Sequence, residues 1–294
     1  MSHLGILQFA GADAVQFLQG QISNDSRRLA AGKPLLAAYS SPQGRVLAVL
    51  HLVPYSAGVL AILPRELVLP IQERLRKFVL RAKVSITDQS EALVVVGQTG
   101  DQAIRAAGLA LPDPAVGYAE TNAVGVARVG PDAARHWVLG TGDRLAALGL
   151  LGNDPAAIEN AWRLADIRTG IPQIYAATSE YFVAQMLNLD LLDGISFTKG
   201  CFTGQEIIAR TQHLGRIKRR LIRLHLPAGE WQIGQSLRLP DGRSGRLTEL
   251  ATNGAGFEAL AVVNLEVADG DAEASANAVA ATELALPYSL RAPA

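Results

Sequence analysis

Three features of this 294-residue chain predict an α+β fold. Short apolar runs of β type and longer helical patterns mix without strict alternation, unlike the regular βαβ repeat of a parallel α/β protein. The last quarter changes texture: Ile222, Leu224 and Leu226 alternate with Arg223 and His225, and Asp241-Gly242 and Asn253-Gly254 supply tight-turn signals between short apolar segments. Apolar residues make up 49% of the chain and charged residues 18%, which suits a folded core and excludes disorder. A chain of this length is expected to form two or three domains.

The elements follow in order. Leu4 to Phe9 reads as a short strand, and Asp13 to Gln19 as a short helix with Val15 and Leu18 inward and Gly20 as its stop. Leu35–Tyr39 and Val46–Leu52 read as strands around the turn Ser41-Pro42-Gln43-Gly44, where the fixed φ of Pro42 suits the second turn position. Val59–Leu63 is a further strand. Pro64 to Arg81 predicts an amphipathic helix, with Ile71, Leu75, Phe78 and Val79 inward and Arg74, Arg76, Lys77 and Arg81 on a solvated face. Val84–Thr87 and Leu93–Val96 (strands), Asp101–Ala107 (helix), Val124–Val129 and Trp137–Leu139 (strands) and Arg144–Leu148 (helix) come next. Gly152 to Pro155 forms a joint. Asp154 caps the following helix, Pro155 sits in its first turn, and Gly170 ends it, with Ile158, Trp162 and Ala165 on the inner face. From about 217 to 294 the turn signals predict a small antiparallel β domain of barrel type. Asp269 to Ala281, rich in Ala, Asp and Glu, is ambiguous and expected to be exposed.

Charge and cysteine usage narrow the function. Lys plus Arg equals Asp plus Glu at 27 each, so no global field draws the protein to nucleic acid or membrane, and any such affinity must be local. A single cysteine excludes an intrachain disulfide and a four-cysteine metal site, and fits a reducing cytoplasm. The N-terminus lacks the basic and apolar regions of a signal peptide. The most apolar stretch, Val46 to Leu63, is broken by His51, Pro54, Ser56 and Gly58, and reads as two strands rather than a membrane span. A soluble, cytoplasmic protein is expected. Gly97-Gln98-Thr99-Gly100 lacks the third glycine of a dinucleotide fingerprint and the lysine of a P-loop, and Gly140-Thr141-Gly142-Asp143 fails in the same way; both read as turns. The five histidines show no metal-ligand spacing, and no hydrolase elbow is present.

The most informative run is Lys199-Gly-Cys-Phe-Thr-Gly-Gln-Glu206. An isolated cysteine is more often a small buried apolar residue than a reactive one. Here glycines bracket it, Lys199 precedes it, and Thr203 with Glu206 forms the pattern of a capping box before the apolar residues Ile207 and Ile208. Cys201 is therefore expected just outside a helix N-terminus with Lys199 on the same side, two influences that favour a thiolate. Downstream, Arg210, His213, Arg216, Lys218, Arg219, Arg220 and Arg223 form a basic cluster that could receive a polyanion. It could equally be a solvated surface, and no aromatic residue interleaves with it for base stacking.

The Lys199–Glu206 run resembles the signature of the YgfZ family, folate-binding proteins related to the T-protein (aminomethyltransferase) of the glycine cleavage system. The resemblance extends along nearly the whole chain: Phe17-Leu-Gln-Gly-Gln-Ile-Ser-Asn-Asp25, Gly44-Arg45, Gly170-Ile-Pro172, Gln185, Asn188-Leu189 and Leu286-Pro-Tyr288 come in the family's order. It implies three domains around a central opening that binds tetrahydrofolate or a derivative. These would be residues 1–50 with 153–216 as the folate-binding domain, 51–152 as a ferredoxin-like α+β domain, and 217–294 as a small β-barrel. It implies Cys201 and Lys199 as the reactive pair, and Asn24, Asp25, Arg45, Gln185, Asn188, Gln205, Glu206 and Arg216 as folate contacts, with no metal site. It also implies a role in iron–sulfur cluster assembly or repair that supports cluster enzymes, tRNA-modifying ones included, as transient partners. Two departures stand out. The T-protein's catalytic Asp-Asp pair falls on Ala48 and Val49, and its pterin-contacting glutamate falls on Arg168. Neither alanine nor valine can deprotonate an amine, and arginine cannot accept a hydrogen bond. A folate-dependent one-carbon transferase and an RNA-binding module using the 210–223 cluster are the alternative readings.

Overall fold

The computed structural model describes residues 1–55, 58–130, 135–213, 216–267 and 279–290. Three antiparallel sheets carry the fold. The first contains β1 (Leu4–Ala10), β2 (Leu35–Ser40), β3 (Val46–Tyr55), β4 (Gly58–Pro64) and β5 (Ser85–Asp88), in the order β2-β3-β4-β1-β5. Helices α1 (Ala14–Gln19) and α2 (Arg27–Ala30) fill the β1–β2 connection, and α3 (Val68–Arg76) follows β4. The second sheet contains β6 (Val94–Thr99), β7 (Tyr118–Thr121), β8 (Val124–Arg128) and β9 (Arg135–Gly140), in the order β6-β9-β8-β7, with α4 (Gln102–Ala106) and α5 (Gly142–Ala147). The long helix α6 (Pro155–Thr169) and the short α7 (Gln205–His213) flank an irregular stretch. The third sheet contains β10 (Arg219–Leu226), β11 (Ser236–Arg238), β12 (Ser244–Thr252), β13 (Phe257–Asn264) and β14 (Thr282–Leu284), in the order β11-β12-β13-β10-β14.

The α+β class agrees with the sequence reading, and three details refine it. Among the described residues the edge strands β11 and β14 do not pair, so the third sheet is not a closed barrel, although Val279 N ahead of β14 donates to Arg238 O of β11 (2.9 Å). The boundary expected at residue 50 falls inside β3, whose residues pair on both sides, with β2 and β4. Strands within residues 51–88 thus belong to the first sheet, and the four-stranded second sheet begins at Val94. Finally, the helix expected from Pro64 to Arg81 stops at Arg76. Its inward positions are Val68, Ile71 and Leu75, with Val79 packing on the same core after the helix ends, so Phe78 is left outside. The ambiguous segment near 269–281 lies mostly outside the described residues. Among the described residues no helix is long and apolar enough to cross a membrane.

Strand alternation builds two cores back to back. On β1, Leu7 and Phe9 join the main cluster, while Leu4 and Ile6 face the other way, onto Val95, Trp137, Leu139 and Trp162 of the second sheet and α6. Gly97 fits this contact because a Cβ there would lie 2.1 Å from the Trp162 ring, which accounts for the glycine without a nucleotide. The Asp154 carboxylate caps α6 by accepting from Ala157 N (3.0 Å), and Gly170 ends the helix at φ 69°. Helix α6 carries the third sheet through buried charge. Glu249 of β12 pairs with Arg163 and accepts from Tyr175 Oη (2.6 Å), and Glu258 of β13 holds both Arg168 and Arg223.

Candidate functional site

A cavity of about 590 Å³ opens between the first and second sheets and is closed by segments at 171, 191–193 and 287–288. Leu35 and Leu36 of β2 and His51, Leu52 and Val53 of β3 form one wall. Arg128 and Trp137 of the second sheet, with Val116 and Gly117, form another. Ile171, Leu191 to Asp193 and Tyr288 close it. Most of this lining is apolar, as small-molecule sites require, and the volume lies in their usual range of about 300–1,000 Å³.

The polar groups in the lining are few. Arg28 is tied to Asp193, the one carboxylate there (2.6 Å). Lys33 and Arg128 carry no counter-charge among the described residues. His51 sits in the middle of β3 with its ring centre 4.6 Å from that of Trp137. Burial, reinforced by the Arg135 guanidinium, pushes the imidazole down to about 3, so it is neutral at ordinary pH. Behind Trp137 a buried stack continues: Trp162 lies 6.1 Å away, Arg135 lies over Trp162 at 4.2 Å, and Asp166 holds Arg135 at 2.6 Å. Burial raises the Asp166 carboxyl to about 6 against the opposing pull of Arg135.

None of the side chains expected from the sequence to contact ligand belongs to this lining. Several of them brace it instead. Asn24 donates to the carbonyls of Leu36 (2.9 Å) and Asp193 (2.6 Å), joining two cavity walls. Asn188 adopts a left-handed conformation at φ 58° and donates to Leu221 O (2.8 Å) and Tyr288 Oη (3.3 Å). Gln185 donates to Ile208 O (2.7 Å), fixing α7. Asp25 binds Arg27, whose hydrogen bonds hold its carboxyl down at about 2. Arg45 reaches Tyr181 O (3.0 Å), Arg216 pairs with Glu266 on the surface, and Glu206 is exposed.

The Lys199–Glu206 run takes a different shape from the expected one. Helix α7 begins at Gln205, and the reach-back to the chain before it comes from Gln205 Oε1, which accepts from Phe202 N (3.3 Å). Gly204 is left-handed at φ 82°, and a Cβ there would press on Ser41 O at 2.8 Å. Lys199 is buried and turned inward. Its ammonium donates to the carbonyls of Gln19 (2.7 Å), Ile22 (2.7 Å) and Asn24 (2.9 Å), and lies 4.7 Å from the Phe202 ring. All three donors of the ammonium are thus occupied by backbone at the end of α1, where a cation suits the helix dipole. Burial lowers its pKa to about 8. Cys201 is exposed, which removes the reading of a buried apolar cysteine.

Proteins of known sequence and structure resemble this chain over most of its length. A tRNA-modifying protein YgfZ of Yersinia pseudotuberculosis is 32% identical over 247 residues, covering 79% of this chain and 74% of that protein. Its counterpart in Hamiltonella defensa is 30% identical over 81% of this chain and 70% of its own length. The chain belongs to the YgfZ family. A third member, from Colwellia psychrerythraea, is 29% identical over 76% of this chain. The glycine cleavage system aminomethyltransferase T from Bartonella henselae has the same fold, with a TM-score of 0.69 over 90% of this chain and 77% of that one, at 16% identity. No family model matches the chain.

The family placement leaves the cavity's own residues to be explained. Sequence reasoning missed His51, Trp137, Lys33 and Arg128. One signal was available for His51: a histidine inside an otherwise apolar strand, where burying a polar ring needs a reason. Arg128, at the end of β8, carries no such mark. The T-protein-like positions Ala48 and Val49 are fully buried in β3, so no carboxylate could be accommodated there without displacing core. Arg168 is absent from the lining because Glu258 holds it (2.8 Å).

Proposed function

We propose that this YgfZ-family protein binds a reduced folate in the cavity and serves as an accessory factor in iron–sulfur cluster assembly or repair, supporting cluster enzymes that include tRNA-modifying ones. The observation that carries the reading is the cavity: a mainly apolar chamber between the first and second sheets, with cations in its lining that form no ion pair among the described residues. A flat pterin suits walls built of Leu36, Leu52 and Trp137 beside the neutral His51. The anionic tail of a folate suits Lys33 and Arg128, which have no counter-charge among the described residues. These residues, rather than Arg45 and Arg216, would hold the ligand.

The same lining argues for binding over aminomethyl transfer. Its one carboxylate, Asp193, is engaged by Arg28, and Ala48 and Val49 stand where the T-protein's acids fall. Cys201 is exposed on the segment that Lys199 anchors, so it is presented to a partner rather than to the cavity. One thiol supplies one ligand of a shared cluster site.

Calorimetric titration with tetrahydrofolate tests the binding half. Saturable binding is expected, with a raised Tm, weakening with salt and with Arg128→Ala. No heat and no thermal shift at millimolar ligand overturns it. Activities of a panel of cluster enzymes in cells lacking the gene test the second half; unchanged activities overturn it.

A further inference from the structure

We propose that the surface around Phe78 binds single-stranded RNA, with the ring stacking on a base and the neighbouring cations holding phosphates. The local structure creates this surface. After α3 ends at Arg76 the chain continues as a turn, in which Phe78 N donates to Leu75 O (3.0 Å) and Val79 N to Arg76 O (3.1 Å). Val79 packs on the core with Val68, Ile71 and Leu75, and that leaves Phe78 45% exposed and Leu80 86% exposed, with Leu69 at 60% on the same helix. Nearly half of Phe78 is thus exposed, next to the more exposed Leu80 in the chain.

Arg74, Arg76, Lys77, Arg81 and Lys83 lie along this segment; the acidic residues beside them are Glu73, which precedes Arg74, and Asp13, whose carboxylate accepts from the Lys83 amide N–H (2.6 Å). Among the described residues none of the five forms an ion pair. Arg76 donates to Ile86 O (3.0 Å), a neutral partner that leaves its charge uncompensated. The other basic run behaves differently. Arg216 pairs with Glu266, Arg220 with Asp190, and Arg223 with Glu258, while Arg219 donates to Asn264. Ion pairs therefore neutralise three cations of the 210–223 run and, among the described residues, none at 74–83.

The combination selects the partner. Uncompensated cations fit a polyanion. An exposed aromatic ring among them fits unstacked bases, whose faces a duplex hides. A bilayer-binding helix would present one continuous apolar face, whereas here the apolar side chains interleave with cations on a turn.

The test uses the full chain, fluorescence anisotropy, a labelled oligouridylate, an RNA duplex of the same length and phosphatidylserine vesicles. The oligouridylate is expected to bind more tightly than the duplex, with a log–log salt slope of about −2 if three phosphates are engaged at roughly −0.7 each. Phe78→Ala should weaken binding about ten-fold, the effect of losing one stacked base, while Phe78→Tyr retains it. Lys77→Glu with Arg81→Glu should abolish binding while leaving circular dichroism and Tm unchanged. Three outcomes would overturn the proposal: no binding at low salt, equal affinity for duplex and single strand with Phe78→Ala silent, or association with vesicles and not with RNA.

Discussion

The indole of Trp137 stands edge-on to the imidazole of His51, ring centres 4.6 Å apart and planes at 72°. This contact places a neutral histidine at the cavity wall and backs it with the Trp162, Arg135 and Asp166 stack.

Acid stability should report on His51. Its pKa is about 3 in the folded chain against an ordinary 6.5. Between those values the unfolded chain takes up a proton that the folded chain refuses, so stability present above pH 6.5 is lost as the pH falls towards 3. The slope from this one group is up to about 1.4 kcal/mol per pH unit. His51→Gln should flatten the pH dependence of the urea midpoint across this window by that amount, relative to the parent protein. Identical profiles for the two proteins would show that the imidazole is not held neutral.

Arg168→Glu restores the residue type found in the T-protein, and the structure predicts harm rather than gain. Arg168 and Arg223 share Glu258 (2.8 and 2.6 Å), so a glutamate at 168 would face a carboxylate. Arg168 is half exposed, which limits the cost to about 1–2 kcal/mol in thermal or urea unfolding. Tetrahydrofolate affinity should not improve, because position 168 does not line the cavity. Tighter binding in the variant would place the ligand against α6 instead.

Tyr288→Phe tests a junction that joins three separate sequence fragments. The Tyr288 hydroxyl donates to Gly170 O (2.9 Å) and accepts from Asn188 (3.3 Å), and a Cβ on Gly170 would lie 2.5 Å from that hydroxyl. Loss of the hydroxyl leaves the Gly170 carbonyl without this donor and is expected to cost about 1–2 kcal/mol. A variant as stable as the parent would make the junction incidental.

That junction also shows what the sequence could reveal. Gly170-Ile-Pro172, Asn188-Leu189 and Leu286-Pro-Tyr288 were separable as fragments because each carries a backbone demand or a fixed polar contact, and such demands leave marks on residue type. Strand alternation and helix caps were legible for the same local reason, as at Leu4–Ala10 and Asp154. The cavity residues were not, because Arg128 and Trp137 become neighbours of His51 only through the packing of two sheets. The same long-range packing decides that Phe78 faces water and Lys199 the interior, against the helical periodicity at 78 and the expected pairing with Cys201.

Lys199 and Cys201 should therefore separate cleanly into a structural and a chemical residue. Lys199→Met keeps the apolar stem but leaves the carbonyls of Gln19, Ile22 and Asn24 without their ammonium. Several buried acceptors losing one charged donor should cost about 3 kcal/mol, read as a lowered urea midpoint. Cys201→Ser changes an exposed side chain and should stay within about 0.5 kcal/mol of the parent. The thiol should alkylate with iodoacetamide without denaturant, which a buried cysteine would resist. In cells lacking the gene, Cys201→Ser should accumulate as folded protein, bind tetrahydrofolate, and yet fail to restore cluster-dependent tRNA modification. Lys199→Met should fail in proportion to its lost folded protein, and overexpression should recover part of the function. Full rescue by Cys201→Ser would remove the thiol from the mechanism, and an unchanged urea midpoint for Lys199→Met would remove the lysine clamp from the account of the fold.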